Sequence, residues 1–180
     1  MSDIRKKNYK WQAGHKVMPL ANACPTLMDF GELKIHTRHL PHWESDGAIY
    51  FVTFRTKTTT LSIQEQSMVL QHIVEGNSAF YTLLAAIIMP DHVHILLLPL
   101  SSYSLSRIMK GIKGASARKI NIARNTTGTI WQDESYDRIV RDEKELKIKI
   151  LYMLNNPVKK ELTDDPWHYH GWWYNNSVIA

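Results

Sequence analysis

Two histidines separated by one residue are the feature of this sequence with the clearest chemical potential. His92 and His94 occur in MPDHVHILLLP, a segment apolar enough to predict a buried strand. Because side chains alternate between the two faces of a strand, both imidazoles are expected on the same face. Two neighbouring imidazoles can bind one divalent metal ion and leave positions for oxygen ligands. Taken alone, the triplet is explained at least as well by two hydrogen-bonded histidines in a sheet.

A tyrosine and an asparagine further along the chain offer a nucleophile and a further ligand. In ILYMLNNPVKK, Tyr152 and Asn156 are four residues apart and would share one face of a helix. A positioned, deprotonated phenol can attack phosphorus, and an amide oxygen can bind a hard metal ion. On these residues alone, packing of Tyr152 against a sheet and helix capping by Asn156 before Pro157 remain open alternatives.

The order of the predicted elements indicates the fold class that must position these side chains. Apolar and β-branched patterns predict strands, and helical spacing predicts helices, in the order strand, helix, strand, strand, helix, strand, helix. This order favours an α+β fold with an antiparallel sheet in a ferredoxin-like layout and helices packed on one face. The predicted strands cover 47–56, 80–89 and 92–100, a turn and a short edge strand are predicted within 129–142, and the predicted helices cover 62–75, 104–122 and 143–156.

Composition limits the class of protein. The 180 residues are 44% hydrophobic and 22% charged, as expected for a globular domain, and the formal net charge of +5 favours an acidic partner such as nucleic acid. One cysteine, Cys24, excludes an internal disulfide framework and suits a reducing compartment. No apolar run reaches the roughly 20 residues of a membrane helix, and no secretion signal is recognised. The predicted location is the cytoplasm, with nucleoid association when DNA is bound.

A basic segment in the middle of the chain predicts contact with phosphates. Its cations lie at helical spacing with no acidic residue between Ser104 and Gln132, which favours a phosphate-binding face over an ordinary solvated one. The predicted DNA-binding residues are Arg107, Lys110, Lys113, Arg118, Lys119 and Arg124. A second basic group near the N-terminus fits a DNA-binding arm and a solubility feature equally well; it comprises Arg5, Lys6, Lys7 and Lys10.

Several segments taken together resemble a known family. In sequence order these are RHLPHWESDGAIYFVTFR (38–55), IIMPDHVHILL (87–97), LSRIMKGIKGASARKIN (105–121), WQDESYDRIVRDEKEL (131–146) and YMLNNPVK (152–159). In content and order they resemble the REP-associated tyrosine transposases, a branch of the single-tyrosine HUH (His-hydrophobic-His) transposases. MPDHVH together with the Tyr-x-x-Asn-Asn-Pro-Val-Lys segment is far more specific than a lone His-x-His.

The resemblance implies a fold, a chemistry and a set of residue roles. It implies a ferredoxin-like catalytic domain in which Tyr152 is the nucleophile, forming a 5′-phosphotyrosine. It further implies His92 and His94 as the metal-binding pair with Asn156 as third ligand, Mg²⁺ or Mn²⁺ as the ion, and single-stranded, hairpin-bearing DNA as the substrate of strand transfer. The alternatives are a non-catalytic nucleic-acid-binding protein on the same fold and a metal-dependent phosphoesterase that uses water.

The chain is divided accordingly into three parts. Residues 1–35 are interpreted as a basic N-terminal arm, 36–163 as the HUH catalytic domain, and 164–180 as an aromatic C-terminal tail. The aromatic residues of the tail either stack on unpaired bases or, as favoured here, fold back and cover the domain. One nucleophilic tyrosine per chain is compatible with a monomer or a homodimer.

Overall fold

The computed structural model of the protein describes residues 47–176 and the backbone of residues 34–37 and 41–44. Strands β1 (Lys34–Thr37) and β2 (Pro41–Glu44) pair with each other in an antiparallel ladder, and β2 also contacts the edge strand of the main sheet. The predicted N-terminal arm, 1–35, lies outside the described residues except for the first two residues of β1. Its basic group, residues 5–10, is therefore outside them as well.

The main sheet has five strands, and every neighbouring pair is antiparallel. In space the order is β6-β3-β5-β4-β7. The strands are β3 (Tyr50–Thr56), β4 (Tyr81–Ile88), β5 (His92–Pro99), β6 (Trp131–Ile139) and β7 (Trp172–Tyr174).

Three helices connect these strands and produce a ferredoxin-like topology. Helix α1 (Ile63–Glu75) joins β3 to β4, and α2 (Leu105–Arg124) joins β5 to β6. The resulting order β3-α1-β4-β5-α2-β6 is the split βαβ arrangement that the sequence predicts, and the α+β fold class is confirmed. Helix α3 (Glu143–Lys159) follows β6. No helix among the described residues is both long enough and apolar enough to cross a membrane.

The helices cover both faces of the sheet, which corrects the expectation of helices on one face. Helices α1 and α2 pack on one face, through a core that includes Val69, Ile73 and Ile112. Helix α3 packs on the opposite face, through Leu146, Ile150 and Met153 among others. The near-continuous apolar runs of β4 and β5 require this arrangement, because strands buried on both faces need cover on both.

The described part of the predicted aromatic tail belongs to the domain rather than lying apart from it. A 3₁₀ turn (Pro166–His168) leads into β7, in which Trp172 and Tyr174 pair with Ile87 and Ala85 of β4. The Tyr169 hydroxyl, which is buried, donates hydrogen bonds toward Gln66 Oε1 (2.8 Å) and the Ile88 carbonyl (3.2 Å). The C-terminal segment therefore fills the core on the α3 face, as the expectation that it covers the domain required.

Candidate active site

The register of β5 places the two histidines on the face of the sheet that α3 covers. His92 pairs with Arg55 of β3, and His94 pairs with Thr53. Both histidines are buried, and their ring centroids are 4.7 Å apart. The two-residue period of the strand thus brings both imidazoles together, as the sequence predicts.

Each imidazole is oriented by a hydrogen bond at Nδ1. His92 Nδ1 donates to Asp91 Oδ1 at 2.7 Å, and Thr53 Oγ1 lies 2.7 Å from His94 Nδ1. When Nδ1 carries the proton, Nε2 carries a lone pair, and this is the arrangement that metal-binding histidines use. His94 Nε2 is buried and has no hydrogen-bond partner among the described residues. The pair therefore presents at least one buried ring nitrogen that the described protein groups leave unsatisfied.

Burial also keeps the imidazoles neutral. Desolvation lowers the pKa of His94 to about 3, and the charges of Arg55, of Lys149 and of His92 in its protonated form act in the same direction. Desolvation likewise lowers the pKa of His92, although its hydrogen bond to Asp91 opposes the effect. Neutral imidazole is the form that binds metal, so these electrostatics suit a ligand role.

Helix α3 brings Tyr152 to the histidine pair. Its ring centroid lies 5.3 Å from that of His94, and the side chain is 42% exposed. Phe51 stacks on His94 at 5.2 Å and meets Tyr152 edge-on at 6.2 Å, so it forms the wall that the two rings share. Lys159 Nζ lies 5.7 Å from the centroid of the Tyr152 ring. A phenol with access to solvent therefore stands at the edge of the buried imidazoles.

Asn156 lies one turn after Tyr152 on α3 and is buried. Its side-chain nitrogen has no hydrogen-bond partner among the described residues. No group of three or more His, Cys, Asp or Glu side chains suited to a metal ion is found in the described part of the chain. A metal ion held at the histidine pair by three protein groups thus needs a ligand of another type, and the buried Asn156 amide is suitable. The unsatisfied His94 Nε2 fits such an ion, whereas Asn156 could bind it only through its amide oxygen, because its unsatisfied nitrogen is a hydrogen-bond donor.

The predicted DNA-binding residues lie on α2, away from the histidine pair and on the opposite face of the sheet. Four of them, Arg107, Lys110, Arg118 and Lys119, are exposed. Three of the six have partners from elsewhere in the chain: Lys113 Nζ donates to the Asp133 carbonyl (2.8 Å), Lys119 pairs with Glu75 (3.5 Å), and Arg124 Nη2 donates to Glu65 Oε2 (2.8 Å). The basic face is therefore partly neutralised, because Glu65 and Glu75 of α1 pair with two of its cations and a backbone carbonyl of β6 accepts from a third.

A groove of about 860 Å³ separates α2 from β6. Arg107, Lys110 and Lys113 line it on the helix side. The strand side carries Asp133 and Glu134 beside an apolar floor that includes Trp131. Its mixed charge is less suited to a phosphate backbone than an all-basic surface would be.

Two residues of the site were not singled out from the sequence. Asp91 directly precedes His92, so proximity along the chain was the signal available. Thr53 is 41 residues from His94 and becomes a partner only through the pairing of β3 with β5.

Comparison with known proteins identifies the family. The family model of IS200-like transposases matches residues 48–153, which is 106 of the 180 residues. The chain belongs to the IS200-like transposase family. The matched range contains the histidine pair and Tyr152 and ends one residue after that tyrosine.

A solved structure shows the same fold. A REP-associated tyrosine transposase bound to a REP hairpin is 19% identical, with a TM-score of 0.60 over 74% of this chain and 80% of that one. A protein of Deinococcus radiodurans described as a transposase is 24% identical, with a TM-score of 0.43 over 58% of this chain and 87% of that one. No curated protein matches the chain significantly. The predicted resemblance is thereby confirmed at the level of family and fold.

Proposed function

We propose that this IS200-like transposase cuts and rejoins single-stranded DNA through a covalent bond between Tyr152 and a 5′ phosphate. One observation carries the proposal: a partly exposed phenol lies 5.3 Å, ring to ring, from a buried imidazole whose Nε2 lacks a partner among the described residues. The similar fold that was solved with a REP hairpin supports hairpin or repeat-element DNA as the substrate. The non-catalytic DNA- or RNA-binding protein remains the alternative to be tested.

His92, His94 and Asn156 are the residues that would hold the metal ion, Mg²⁺ or Mn²⁺. The imidazole nitrogens of the two histidines and the amide oxygen of Asn156 are neutral ligands. They leave the positive charge of the ion available to a phosphate. When bound, the ion polarises the scissile phosphate and stabilises the charge that grows in the transition state. Asp91 and Thr53 orient the two rings from behind.

Tyr152 performs the covalent step. Its oxygen attacks the phosphorus in line, and the bond from phosphorus to the 3′ oxygen breaks as the tyrosine–phosphorus bond forms. The phenol loses its proton to solvent, and the departing 3′ oxygen takes one up to become a hydroxyl. Attack by another 3′ hydroxyl on the phosphotyrosine reverses the step, releases the phenol and joins new strands. The number of phosphodiester bonds is conserved, so no nucleoside triphosphate is required.

Binding of the DNA backbone is proposed for three exposed cations of α2: Arg107, Lys110 and Arg118. Lys113, Lys119 and Arg124 would have to exchange their present partners for phosphates. Since each chain supplies one nucleophilic tyrosine, two concerted cleavages need a homodimer, whereas a monomer would act in two rounds.

The test is a covalent-adduct assay. Wild-type protein is incubated with a labelled DNA stem-loop from the flanks of its own gene, with and without Mn²⁺, and resolved on a denaturing gel. A protein–DNA adduct is expected with Mn²⁺ and is expected to vanish in Tyr152→Phe, with Tyr174→Phe as the matched control that retains it. Binding without any adduct would favour the non-catalytic alternative. Cleavage that persists in Tyr152→Phe would instead indicate an activated water.

A further inference from the structure

Part of the catalytic face of the sheet extends beyond the histidine pair toward the edge strand β6. Thr53 of β3 pairs with His94 on one side and with Tyr136 of β6 on the other. Directly paired residues of an antiparallel sheet point to the same face. Tyr136, Thr53 and His94 therefore form one row across three strands, on the face that carries the proposed active site.

Tyr136 is exposed at the end of this row. Its side chain is 51% exposed, whereas Trp131 on the same strand is buried at 3%. Neighbouring strands lie roughly 5 Å apart, so the backbones of Tyr136 and His94 are about 10 Å apart. The groove between α2 and β6 is lined by Ser135 and Asp137 but not by Tyr136, in agreement with a ring on the other face. An aromatic surface is thus available to solvent beside the proposed site of cleavage.

Cations surround the same part of the face. Lys149 Nζ of α3 lies 4.6 Å from the centroid of the Phe51 ring, and Phe51 stacks on His94. Arg55, which pairs with His92, has a side chain that is 55% exposed and lies 3.4 Å from Asp91. Lys149 is therefore separated from the His94 ring only by Phe51, and Arg55 lies opposite His92 in the register of the sheet.

We propose that Tyr136 stacks on a base of the single-stranded DNA that enters the active site, while Lys149 and Arg55 contact the phosphates on either side of it. The inference deepens the proposed function and rests on it. A phenol ring that is half exposed offers a flat apolar surface for an unpaired base, and such stacking is tolerant of sequence. Cations at the flanks suit the phosphates that a stacked base carries with it.

The structural alternative is that Tyr136 only packs across the strands and stabilises an edge strand. In that case, substitution of Tyr136 would change the stability of the protein, but the contribution of each DNA base to binding would stay the same. The affinity for DNA that lacks the base at one chosen position therefore distinguishes the two alternatives.

The experiment measures binding in the non-cleaving Tyr152→Phe background by fluorescence anisotropy. The probe is a stem-loop from the gene's flanks with a ten-nucleotide single-stranded extension. Tyr136→Ala is expected to weaken binding by roughly 5- to 150-fold, the range that loss of one stacked base produces. Tyr136→Phe, which keeps the ring, is expected to stay within about twofold of the parent. Phe80→Ala is the matched control, because Phe80 is an aromatic residue of similar exposure (46%) that precedes β4, which lies three strands from β6 in the sheet.

A scan of abasic positions along the extension supplies the second readout. One position is expected to weaken binding when its base is removed, and on that DNA Tyr136→Ala is expected to add less than about twofold. Equal affinity of Tyr136→Ala and its parent, or the same loss at every abasic position, overturns the stacking role. The adduct assay on wild-type protein, run in parallel, decides the proposed function separately: adduct formation with an unaffected Tyr136→Ala would refute only the inference.

Discussion

At the scale of single residues, the groups behind the histidines define the site as much as the histidines do. Asp91 accepts from His92, and Thr53 contacts the corresponding nitrogen of His94, so both rings are held with Nε2 directed away from these partners. A carboxylate behind a ligating histidine fixes the tautomer and raises ligand basicity. Two outer contacts of equal length, 2.7 Å, point to a pair that is organised before any ion arrives.

This arrangement predicts that the outer contacts set metal affinity. Asp91→Ala and Thr53→Val are each expected to weaken Mn²⁺ binding by about 10- to 100-fold, because the ring that each residue orients becomes free to rotate. Titration followed by electron paramagnetic resonance measures the effect without reference to DNA cleavage. Asp165→Ala is a matched control, since Asp165 contacts His168 in the same manner (2.8 Å) on the exposed 3₁₀ turn. Unchanged affinity in both site variants would contradict the assignment of the ion to this pair.

At the scale of elements, the docking of β7 depends on one glycine. Gly171 has no side chain, and its backbone carbonyl accepts a hydrogen bond from the Ile88 amide (2.9 Å). A Cβ at this position would meet the Ile88 carbonyl oxygen at 2.3 Å and Tyr169 Cε1 at 2.7 Å. Backbone on one side and a buried ring on the other leave little room for adjustment. The C-terminal strand and the Tyr169 contacts therefore require glycine here.

Two glycine-to-alanine substitutions, expected to change the free energy of unfolding in opposite directions, test this requirement. Gly171→Ala is expected to lower the free energy of unfolding by about 1–3 kcal/mol, because the added methyl forces β7 away from β4. Gly111→Ala is expected to raise it by about 0.5–1 kcal/mol, because Gly111 lies inside α2 with no atom within 4 Å of the new Cβ. Urea denaturation of both variants measures the difference. A neutral Gly171→Ala would mean that β7 does not contribute to the stability of the sheet.

At the scale of the whole molecule, an ion pair joins α1 to α2, which cover the same face of the sheet. The cation of this pair also contacts the loop before α1. Arg124 at the end of α2 donates to both carboxylate oxygens of Glu65 in the first turn of α1, and to Thr59 and Thr60 of the loop. Glu65 is buried and also forms a reciprocal capping box with Ser62. A carboxylate in this setting needs its cation, which explains why the partly exposed Arg124 is held against Glu65.

The pair predicts a pH dependence of stability. The hydrogen bond from Arg124 lowers the pKa of Glu65, against the opposing effect of burial. Between its lowered folded pKa and about pH 4.3, the ordinary value of a glutamate, Glu65 therefore binds more protons in the unfolded chain than in the folded one. The stabilisation is full at neutral pH and is lost as the pH falls through the folded pKa.

Thermal or urea unfolding as a function of pH checks this dependence. Arg124→Ala is expected to cost about 1–3 kcal/mol at pH 7, because it leaves a buried carboxylate without its donor, and to reduce the loss of stability on acidification. Arg118→Ala, which removes an exposed cation of the same helix, is the control and is expected to change stability little. An Arg124→Ala protein that is fully stable but binds DNA weakly would restore the phosphate-binding role predicted from the sequence.

The sequence by itself determined whatever depends on local periodicity. The two-residue period of a strand places His92 and His94 on one face, and the four-residue spacing on a helix does the same for Tyr152 and Asn156. The order of apolar segments also predicts the split βαβ topology, because few connections satisfy it. These inferences need no knowledge of residues distant along the chain.

Only the tertiary structure decided how the elements face one another. A periodic pattern shows that α3 has an apolar face but not which side of the sheet that face covers, and α3 lies opposite α1 and α2. The same limit concealed the acidic partners of Lys119 and Arg124, which come from α1, and the row that links Tyr136 to His94 through Thr53. The physical reason is that pairing register and charge neutralisation between elements depend on contacts across long stretches of chain, whereas side-chain periodicity is a property of each element alone.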